Sequence, residues 1–294
     1  MQRGTRLAFV VFLAPALLVY TMFAIYPIVD SLRLSFYTVE QGQLVFVGLA
    51  NFVYLLTDAF AAPRFWNAFV NNVQFFGIHL LVQNPIGLML AALLTSGLLR
   101  RAEGIYRTLI FIPTTLSVVI VGFVWQLIIS PLWGLVDTPL LGQESTALPT
   151  LSLMSVWQYV GIPMVFFYAV LVNIPRELEE AGRVDGASGW QIFWRVKFPL
   201  LAPMFGIVSI VTYIANFNAF DLIYAVQGAS AGPNFSSDIF GTLFYRTFLG
   251  TGTATGSVTL GATVASLMFL TILVGVALYL VFIHRRLRSY QLAS

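Results

Sequence analysis

The sequence predicts an all-α, polytopic membrane protein with six membrane-spanning helices. Of its 294 residues, 59% are hydrophobic and only 9% are charged, whereas soluble domains contain about 25% charged residues. The mean hydropathy is +0.87. The few charges leave six uncharged intervals, each long enough to cross a bilayer core of about 30 Å. The composition therefore excludes a water-soluble globule.

Each interval gives a helix when it is trimmed to its most apolar stretch. The first follows Arg3 and Arg6, but it has no small-residue cleavage site and is longer than a signal peptide, so we expect it to be retained. We expect residues 1–294 to form one transmembrane domain, with a cytoplasmic loop at 174–202. The predicted spans lie near residues 7–28, 70–97, 108–130, 151–173, 203–226 and 259–283.

Several of the predicted spans are imperfect as helices. Pro15, Pro85, Pro113 and Pro163 interrupt them, and proline inside a membrane helix frees backbone groups that neighbouring helices or cavity water must satisfy. This pattern favours a bundle around an internal path, with ordinary kinking as the alternative. The second span is also unusually polar. Its amide side chains are Asn71, Asn72, Gln74, Gln83 and Asn84.

The basic residues fix the expected orientation. With a cytoplasmic N-terminus, 12 of the 15 lysine and arginine residues fall on the cytoplasmic side and only Arg33, Arg64 and Arg246 fall outside. Such a bias is the signature of the positive-inside rule. We therefore expect a multi-pass protein of the cytoplasmic (inner) membrane with both termini in the cytoplasm.

Several chemistries are excluded by composition. The chain has no cysteine, and its two histidines, His79 and His284, are too far apart in sequence to form a local metal motif. Its only lysine, Lys197, follows Val196 rather than glycine, so the phosphate-binding loop of an ATPase is absent. We expect no catalytic residue, metal or cofactor on this chain, and its energy must come from another polypeptide or an ion gradient.

The loop between the fourth and fifth spans predicts a helical hairpin. Residues 176–184 are good helix formers, and Asp185-Gly186 ends that helix. Ser188 and Gln191 have the spacing of a capping box that begins a second short helix, which Pro199 is expected to end. Each helix carries an apolar stripe, which suits either a partner protein or the bilayer surface. These stripes are Leu178, Ala181 and Val184, and Ile192, Phe193 and Val196.

The same loop resembles a known family. Glu180-Ala181-Gly182, three residues, Gly186, nine residues and then Val196-Lys197-Phe198-Pro199 is similar to E-A-A-x3-G-x9-I-x-L-P. This is the cytoplasmic EAA loop of membrane subunits of binding-protein-dependent ABC importers. Asp185-Gly186-Ala187 resembles the sugar-importer branch related to the maltose and glycerol-3-phosphate permeases.

The resemblance extends over nearly the whole chain. Ala231 replaces the first glycine of the family's GGP segment, which is the weakest match. The similar segments are Val47–Phe52, Phe65–Ala68 with Asn71-Asn72, Tyr106–Pro113, and Asn216–Asp221 followed by Gly232-Pro233.

The resemblance implies the type I ABC importer permease fold and a permease subunit that imports a sugar or related polar solute. It implies four kinds of partner: a second, homologous permease in a heterodimer, a cytoplasmic ATPase dimer that binds ATP and Mg, an extracytoplasmic solute-binding protein, and membrane lipid, with no nucleic acid. Glu180 would pair with a basic residue of the ATPase, and Gly186 would allow the turn. The implied ATPase-coupling residues are Glu180, Ala181, Gly182, Asp185, Gly186, Ala187 and Pro199.

Polar and aromatic residues of two spans form a candidate substrate path. Sugar hydroxyls require amide or hydroxyl partners and an aromatic face. Hydrogen bonding between helices is the alternative for the amides, and Asp221, the one acid within a predicted span, could instead be an interfacial carboxylate. The candidates are Tyr213, Asn216, Asn218 and Asp221 on the fifth span and Trp157, Gln158 and Tyr159 on the fourth.

Two other classes of function remain as alternatives. A stand-alone ion-coupled carrier would place ionisable sites near the membrane midplane, often within inverted repeats, but the sequence has no visible repeat. An intramembrane enzyme would need a site such as a cysteine nucleophile, a histidine pair or paired carboxylates in the spans, and the predicted spans contain none of these.

Overall fold

The computed structural model describes residues 2–99, 101–133, 137–252 and 254–291. The helices are α1 (Gln2–Tyr20), α2 (Tyr26–Leu34), α3 (Ala50–Thr57), α4 (Ala61–Ile78), α5 (Asn84–Thr95), α6 (Glu103–Phe111), α7 (Val118–Ile128), α8 (Glu144–Tyr159), α9 (Gly161–Leu171), α10 (Arg176–Val184), α11 (Gly189–Ile192), α12 (Phe198–Phe217), α13 (Asp221–Gln227), α14 (Phe240–Leu249) and α15 (Val258–Gln291). π-Helical turns occupy Thr21–Ile25, His79–Gln83 and Phe193–Lys197, and 3-10 turns occupy Ile112–Thr115, Pro131–Trp133, Leu140–Gly142 and Pro233–Phe235. The strands are β1 (Tyr37–Glu40), β2 (Gln43–Phe46), β3 (Gly250–Thr251) and β4 (Ala254–Thr255).

The described residues contain six candidate membrane spans. Four are continuous helices, at Val11–Leu34, Ala61–Thr95, Gly189–Phe217 and Val258–Val281. The other two are helix pairs, bent by 98° between Thr115 and Val118 and by 44° between Tyr159 and Gly161. Six spans in a mostly helical chain agree with the predicted fold class.

The predicted single helix over residues 108–130 is wrong, because this span is broken. The 3-10 turn that contains Pro113 is followed by extended backbone at Leu116 (φ −76°, ψ 148°) and Ser117 (φ −60°, ψ 131°). Helical hydrogen bonding therefore stops at this point and starts again at Val118.

Three of the prolines that lie in helices without ending them follow π-helical turns. Pro27, Pro85 and Pro199 each follow the last residue of a π-helical turn by two positions. The carbonyl that a proline ring would meet in an α-helix belongs to the residue four positions earlier, and in each case that residue lies within the wider π turn. The prediction that Pro199 ends the second hairpin helix is wrong, because this helix continues from Gly189 through Pro199 to Phe217.

The predicted fifth helix over residues 203–226 is also two helices. The first, α12, ends at Phe217, and Asn218 leaves helical geometry (φ −97°, ψ 3°). Asp221 begins the separate helix α13 and is exposed. Asp221 therefore lies in the first helical turn after a break rather than inside a continuous span.

Contacts divide the chain into two units, which are described separately. One is drawn from residues 67–242 with those from 271 onward. Its main apolar cluster joins α5, α9 and α12, where the helices approach closely: a Cβ added at Gly87 would lie 2.9 Å from the Cβ of Pro163. Small residues permit such contact between membrane helices. The cluster contains Leu88, Ala91, Leu94, Met164, Phe167, Leu171, Ile174, Leu201 and Val208.

The other unit is drawn from residues up to 66 and from 243–270. Strands β1 and β2 form an antiparallel hairpin with Glu40 opposite Gln43. The two turn residues, Gln41 and Gly42, both have positive φ (52° and 79°), as a type I′ turn requires. The side-chain amide of Asn51 donates to the carbonyls of Ser35 (3.0 Å) and Tyr37 (2.8 Å), which holds α3 against the start of this hairpin.

We predict that Asn72→Leu destabilises the protein. The amide of Asn72 is fully buried; its nitrogen donates to the carbonyl of Asn216 (3.0 Å) and its oxygen accepts from the backbone N–H of Phe240 (2.8 Å). Leucine would leave the N–H of Phe240 without a partner, at about 1–3 kcal/mol, and the carbonyl of Asn216 would keep only the backbone N–H of Ala219 at 3.2 Å. Thermal unfolding of the purified protein in detergent should show a lower midpoint. The control is Asn173→Leu at an exposed site, and an equal shift in both variants would contradict the prediction.

Candidate functional site

A cavity of about 330 Å³ lies within the unit formed by residues 67–242 and 271 onward. This volume is at the lower end of the range of ligand pockets, about 300–1,000 Å³. Residues of the second, fourth and fifth spans and of α13 form its wall, together with Val118 of the third span. Its polar lining residues are His79, Gln83, Ser155, Tyr159, Thr212, Asn216, Asn218 and Asp221, and its aromatic lining residues besides Tyr159 are Phe75, Phe166 and Phe220.

His79 is held rigidly in the wall of this cavity. It belongs to the π turn of the second span and is 2% exposed. Its Nδ1 lies 2.7 Å from the carbonyl oxygen of Phe75, which can only accept, so Nδ1 carries the proton. Its Nε2 lies 2.9 Å from Oγ of Ser155 on the fourth span. The neutral ring is therefore fully hydrogen-bonded, with Ser155 as the donor to Nε2.

Some of the polar groups around the cavity are not satisfied. The amide oxygens Oε1 of Gln83 and Oδ1 of Asn216 are buried and accept no hydrogen bond within the described part of the chain. Asn84, beside Gln83, accepts a hydrogen bond from Thr212 (3.2 Å), but its own Nδ2 has no partner there. A buried polar group without a partner costs about 1–3 kcal/mol. Of these three residues, Gln83 and Asn216 line the cavity, so a hydrogen-bonding solute that reached their amides would remove this cost.

The cavity includes four of the seven predicted path residues: Tyr159, Asn216, Asn218 and Asp221. The other three face other elements. The hydroxyl of Tyr213 donates to the carbonyl of Thr271 in α15 (2.8 Å).

Trp157 and Gln158 contact the third span instead of the cavity. Trp157 packs edge to face against Trp125, with 5.7 Å between ring centroids. The side-chain nitrogen of Gln158 donates to the carbonyl of Leu116 (3.1 Å), exactly where the third span breaks. For Gln158, the helix-to-helix hydrogen bond that the sequence left open as an alternative is the arrangement found.

Sequence reasoning missed His79, Gln83, Ser155 and Thr212 as cavity residues. A signal for two of them was present, because His79 and Gln83 are four positions apart and share one helix face. Asn71 and Asn72, two other polar residues of that span, have a different role. Asn71 donates to the carbonyls of Ser236 (3.1 Å) and Asp238 (2.8 Å), so it braces the loop that follows α13.

The loop between the fourth and fifth spans forms the predicted hairpin. Helix α10 ends in a Schellman motif. The N–H of Ala187 donates to the carbonyl of Gly182 (2.9 Å), and the N–H of Gly186 donates to the carbonyl of Arg183 (3.0 Å). Gly186 has φ of +79°, as expected for its turn. The capping box is also present: Ser188 N–H donates to Oε1 of Gln191 (2.8 Å), and Gln191 N–H donates to Oγ of Ser188 (3.3 Å).

One close approach between the helices and one ion pair hold the hairpin at its angle. A Cβ added at Gly182 would lie 3.1 Å from Cγ1 of Ile192, which explains why glycine here replaces the second alanine of the family motif. Lys197 pairs with Glu179 at 2.6 Å and joins α10 to the base of the fifth span.

The outer surface of the hairpin is open to a partner. Glu180 and Ala181 are exposed, and the side chain of Val184 is 87% exposed. The first predicted stripe, Leu178, Ala181 and Val184, is therefore exposed, whereas Ile192 of the second predicted stripe is buried.

Comparisons with known proteins identify the family. Residues 83–289 match the model of the family described as "Binding-protein-dependent transport system inner membrane component". The chain is 28% identical over 274 residues to the arabinooligosaccharides transport system permease protein AraP of Bacillus subtilis (strain 168), covering 90% of this chain and 84% of AraP. It is 31% identical over 233 residues to the lactose transport system permease protein LacF of Rhizobium radiobacter, covering 76% of each.

A solved structure shares the fold. A chain of a bacterial alginate ABC transporter, in complex with alginate pentasaccharide-bound periplasmic protein, has a TM-score of 0.78 at 20% identity. The match covers 94% of this chain and 93% of that one. These findings agree with the type I ABC importer permease fold and do not favour a stand-alone ion-coupled carrier. The protein is a multi-pass transport component of the inner membrane and not an enzyme, and it belongs to the family of binding-protein-dependent transport system inner membrane components.

Proposed function

We propose that this permease carries a sugar or a related hydroxyl-rich solute across the membrane, with the cavity as part of the path. This proposal rests on a cavity among the membrane spans. Its lining combines aromatic side chains with the amides of Gln83 and Asn216, whose buried oxygens accept no hydrogen bond within the described residues. The relatives AraP and LacF are named for the transport of arabinooligosaccharides and of lactose, and this supports the same solute class.

The chemistry of the cavity suits sugar hydroxyls. Gln83 and Asn216 line the cavity, and each has a buried oxygen without a donor. If these amides turned toward the solute, sugar hydroxyls that donated to them would satisfy both groups. The rings of Phe75 and Tyr159 supply the apolar face that a pyranose or furanose ring packs against. A solute bound in this way would remove the cost of the unpaired oxygens, so the cavity would select donors over apolar molecules.

ATP hydrolysis is proposed to reach the cavity through the cytoplasmic hairpin. ATP and Mg would bind a partner ATPase dimer, because this sequence has no phosphate-binding loop. Exposed Glu180 would pair with a basic residue of that ATPase, and the turn at Gly186 would set the angle of the two helices. The pair between Glu179 and Lys197 would transmit hairpin movement to the fifth span.

A second permease subunit and a solute-binding protein complete the proposed assembly. None of the residues in the first span, Val11–Leu34, is buried in this chain although the span is strongly apolar. Such a surface supports packing against a homologous permease as well as lipid. The solute-binding protein would deliver the solute from the extracytoplasmic side, and both termini would lie in the cytoplasm.

The path assignment predicts that Asn216→Leu and Asn218→Leu weaken transport. Each change removes an amide from the cavity lining, and loss of one hydrogen bond to the solute corresponds to a rise in KM of about three- to tenfold. The measurement is solute uptake by the assembled transporter in proteoliposomes.

Tyr213→Phe is the matched control for the path. It removes a polar group from the same helix, but its hydroxyl binds the carbonyl of Thr271 rather than lining the cavity. An unchanged KM in both asparagine variants would contradict the proposed path, and the two amides would then be packing residues.

The coupling assignment predicts that Glu180→Lys and Gly186→Val abolish the stimulation of ATP hydrolysis by solute and binding protein. Lysine reverses the charge that meets the ATPase. Valine at φ of +79° costs about 1–2 kcal/mol and would distort the turn. ATPase activity of the reconstituted complex, with and without solute and binding protein, is the measurement.

Two controls isolate these effects. Glu177→Lys changes an exposed acid in the first turn of the same helix. Gly186→Asn replaces the glycine by a residue that also tolerates positive φ. Both should retain most of the stimulation. Normal stimulation in Glu180→Lys and Gly186→Val would show that the hairpin is not the mechanical link.

The proposed orientation predicts opposite labelling of two single-cysteine variants. The chain has no cysteine, so Gln43→Cys and Val184→Cys each introduce one reactive group at an exposed position. An impermeant thiol reagent added to intact spheroplasts should label Gln43→Cys and should label Val184→Cys only after lysis. Labelling of both before lysis would reject the six-span orientation.

A further inference from the structure

We propose that the cavity selects uncharged, hydroxyl-rich solutes against solutes that carry carboxylates, and that Asp221 is the residue that sets this selectivity. The inference rests on the proposed path, and it adds a charge preference to the solute class. It follows from the charges, the histidine and the unpaired acceptors around the cavity.

The charge of the cavity wall is negative. None of its lining residues is lysine or arginine, and Asp221 is the only acid among them. Asp221 is exposed, and it forms no ion pair within the described residues. An anionic solute would therefore meet an uncompensated like charge, which disfavours binding.

His79 does not offset this charge. Its ring is 2% exposed, and both nitrogens are already used by Phe75 and Ser155. Protonation of Nε2 would replace the acceptor of the Ser155 hydroxyl with a second donor and would place a charge in a buried position. The neutral imidazole therefore serves as a structural part of the wall, and it does not supply a cation for a carboxylate.

The unpaired polar atoms point to the same selectivity. Gln83 and Asn216 each have a buried oxygen without a donor. A sugar hydroxyl can donate to such an oxygen, whereas an ionised carboxylate can only accept. Replacement of a hydroxymethyl group by a carboxylate would remove one donor and add a repelled charge.

The shared fold does not determine this property. The transporter of similar fold is described as acting on alginate, an acidic polysaccharide, but its chain is only 20% identical to this one. Any difference in charge preference between the two proteins must therefore lie in the side chains around the path. In this chain those side chains include hydrogen-bond acceptors and one acid, Asp221.

Direct binding by the full-length permease tests the inference. The probes are maltotriose and trigalacturonic acid at equal concentration and pH 7, added to the protein in nanodiscs of uncharged lipid. Saturation-transfer NMR detects weak binding without the solute-binding protein, whose own selectivity is thereby removed. We expect the neutral trisaccharide to bind at least about tenfold more tightly than the triacid.

Variants that change the charge at position 221 test whether Asp221 sets the preference. Asp221→Asn should reduce the difference in affinity between maltotriose and trigalacturonic acid. Asp221→Lys should reverse the order of the two affinities, because lysine would attract the carboxylates. Added salt should weaken the preference of the wild type, since Asp221 is exposed. The matched control is Glu144→Gln, which removes an exposed acid from the first turn of α8, outside the cavity.

The outcomes separate this inference from the proposed function. Equal binding of both trisaccharides to the wild type, or a preference unchanged by Asp221→Lys, would overturn the charge selectivity and leave the cavity as a sugar path. Binding of neither trisaccharide would overturn both proposals.

Discussion

The architecture depends on one constraint: inside a bilayer, every backbone N–H and C=O must find a partner within the protein. This chain interrupts its spans, so groups released at each interruption need other partners. Gln158 satisfies the carbonyl of Leu116 at the break of the third span, and Gln126 satisfies the carbonyl of Val226 at 2.7 Å. These two amides are therefore structural, since they satisfy carbonyls at the break of the third span and in the last turn of α13.

Proline placement follows from the same constraint. Pro27, Pro85 and Pro199 each follow a π-helical turn that closes an i to i+5 hydrogen bond before the ring. The wider turn accommodates proline without ending the helix. In the second span this turn also presents His79 and Gln83 to the cavity, so the feature that preserves the helix also supplies part of the wall.

The continuous helix Gly189–Phe217 links the hairpin to the cavity. Its 29 residues correspond to a length of about 43 Å, with the capping box of the hairpin at one end and Asn216 of the cavity near the other. The ion pair between Glu179 and Lys197 ties α10 to this helix. Because a helix is stiff along its axis, a displacement of the hairpin would be carried to the cavity rather than absorbed in a loop. If Pro199 ended the helix, this link would be lost.

The sequence by itself determined the helical class, the number of spans and the hairpin, because these depend on local hydropathy and on short-range turn chemistry such as that of Gly186 and Ser188. Only the tertiary structure decided which polar side chains face the cavity. Asn216 and Gln158 carry similar amides, yet one lines the cavity and the other satisfies a distant carbonyl. Their roles depend on which backbone groups the breaks at Leu116 and Asn218 release, and on how neighbouring spans pack against them. Sequence periodicity does not contain that information, because partners in these hydrogen bonds come from different spans.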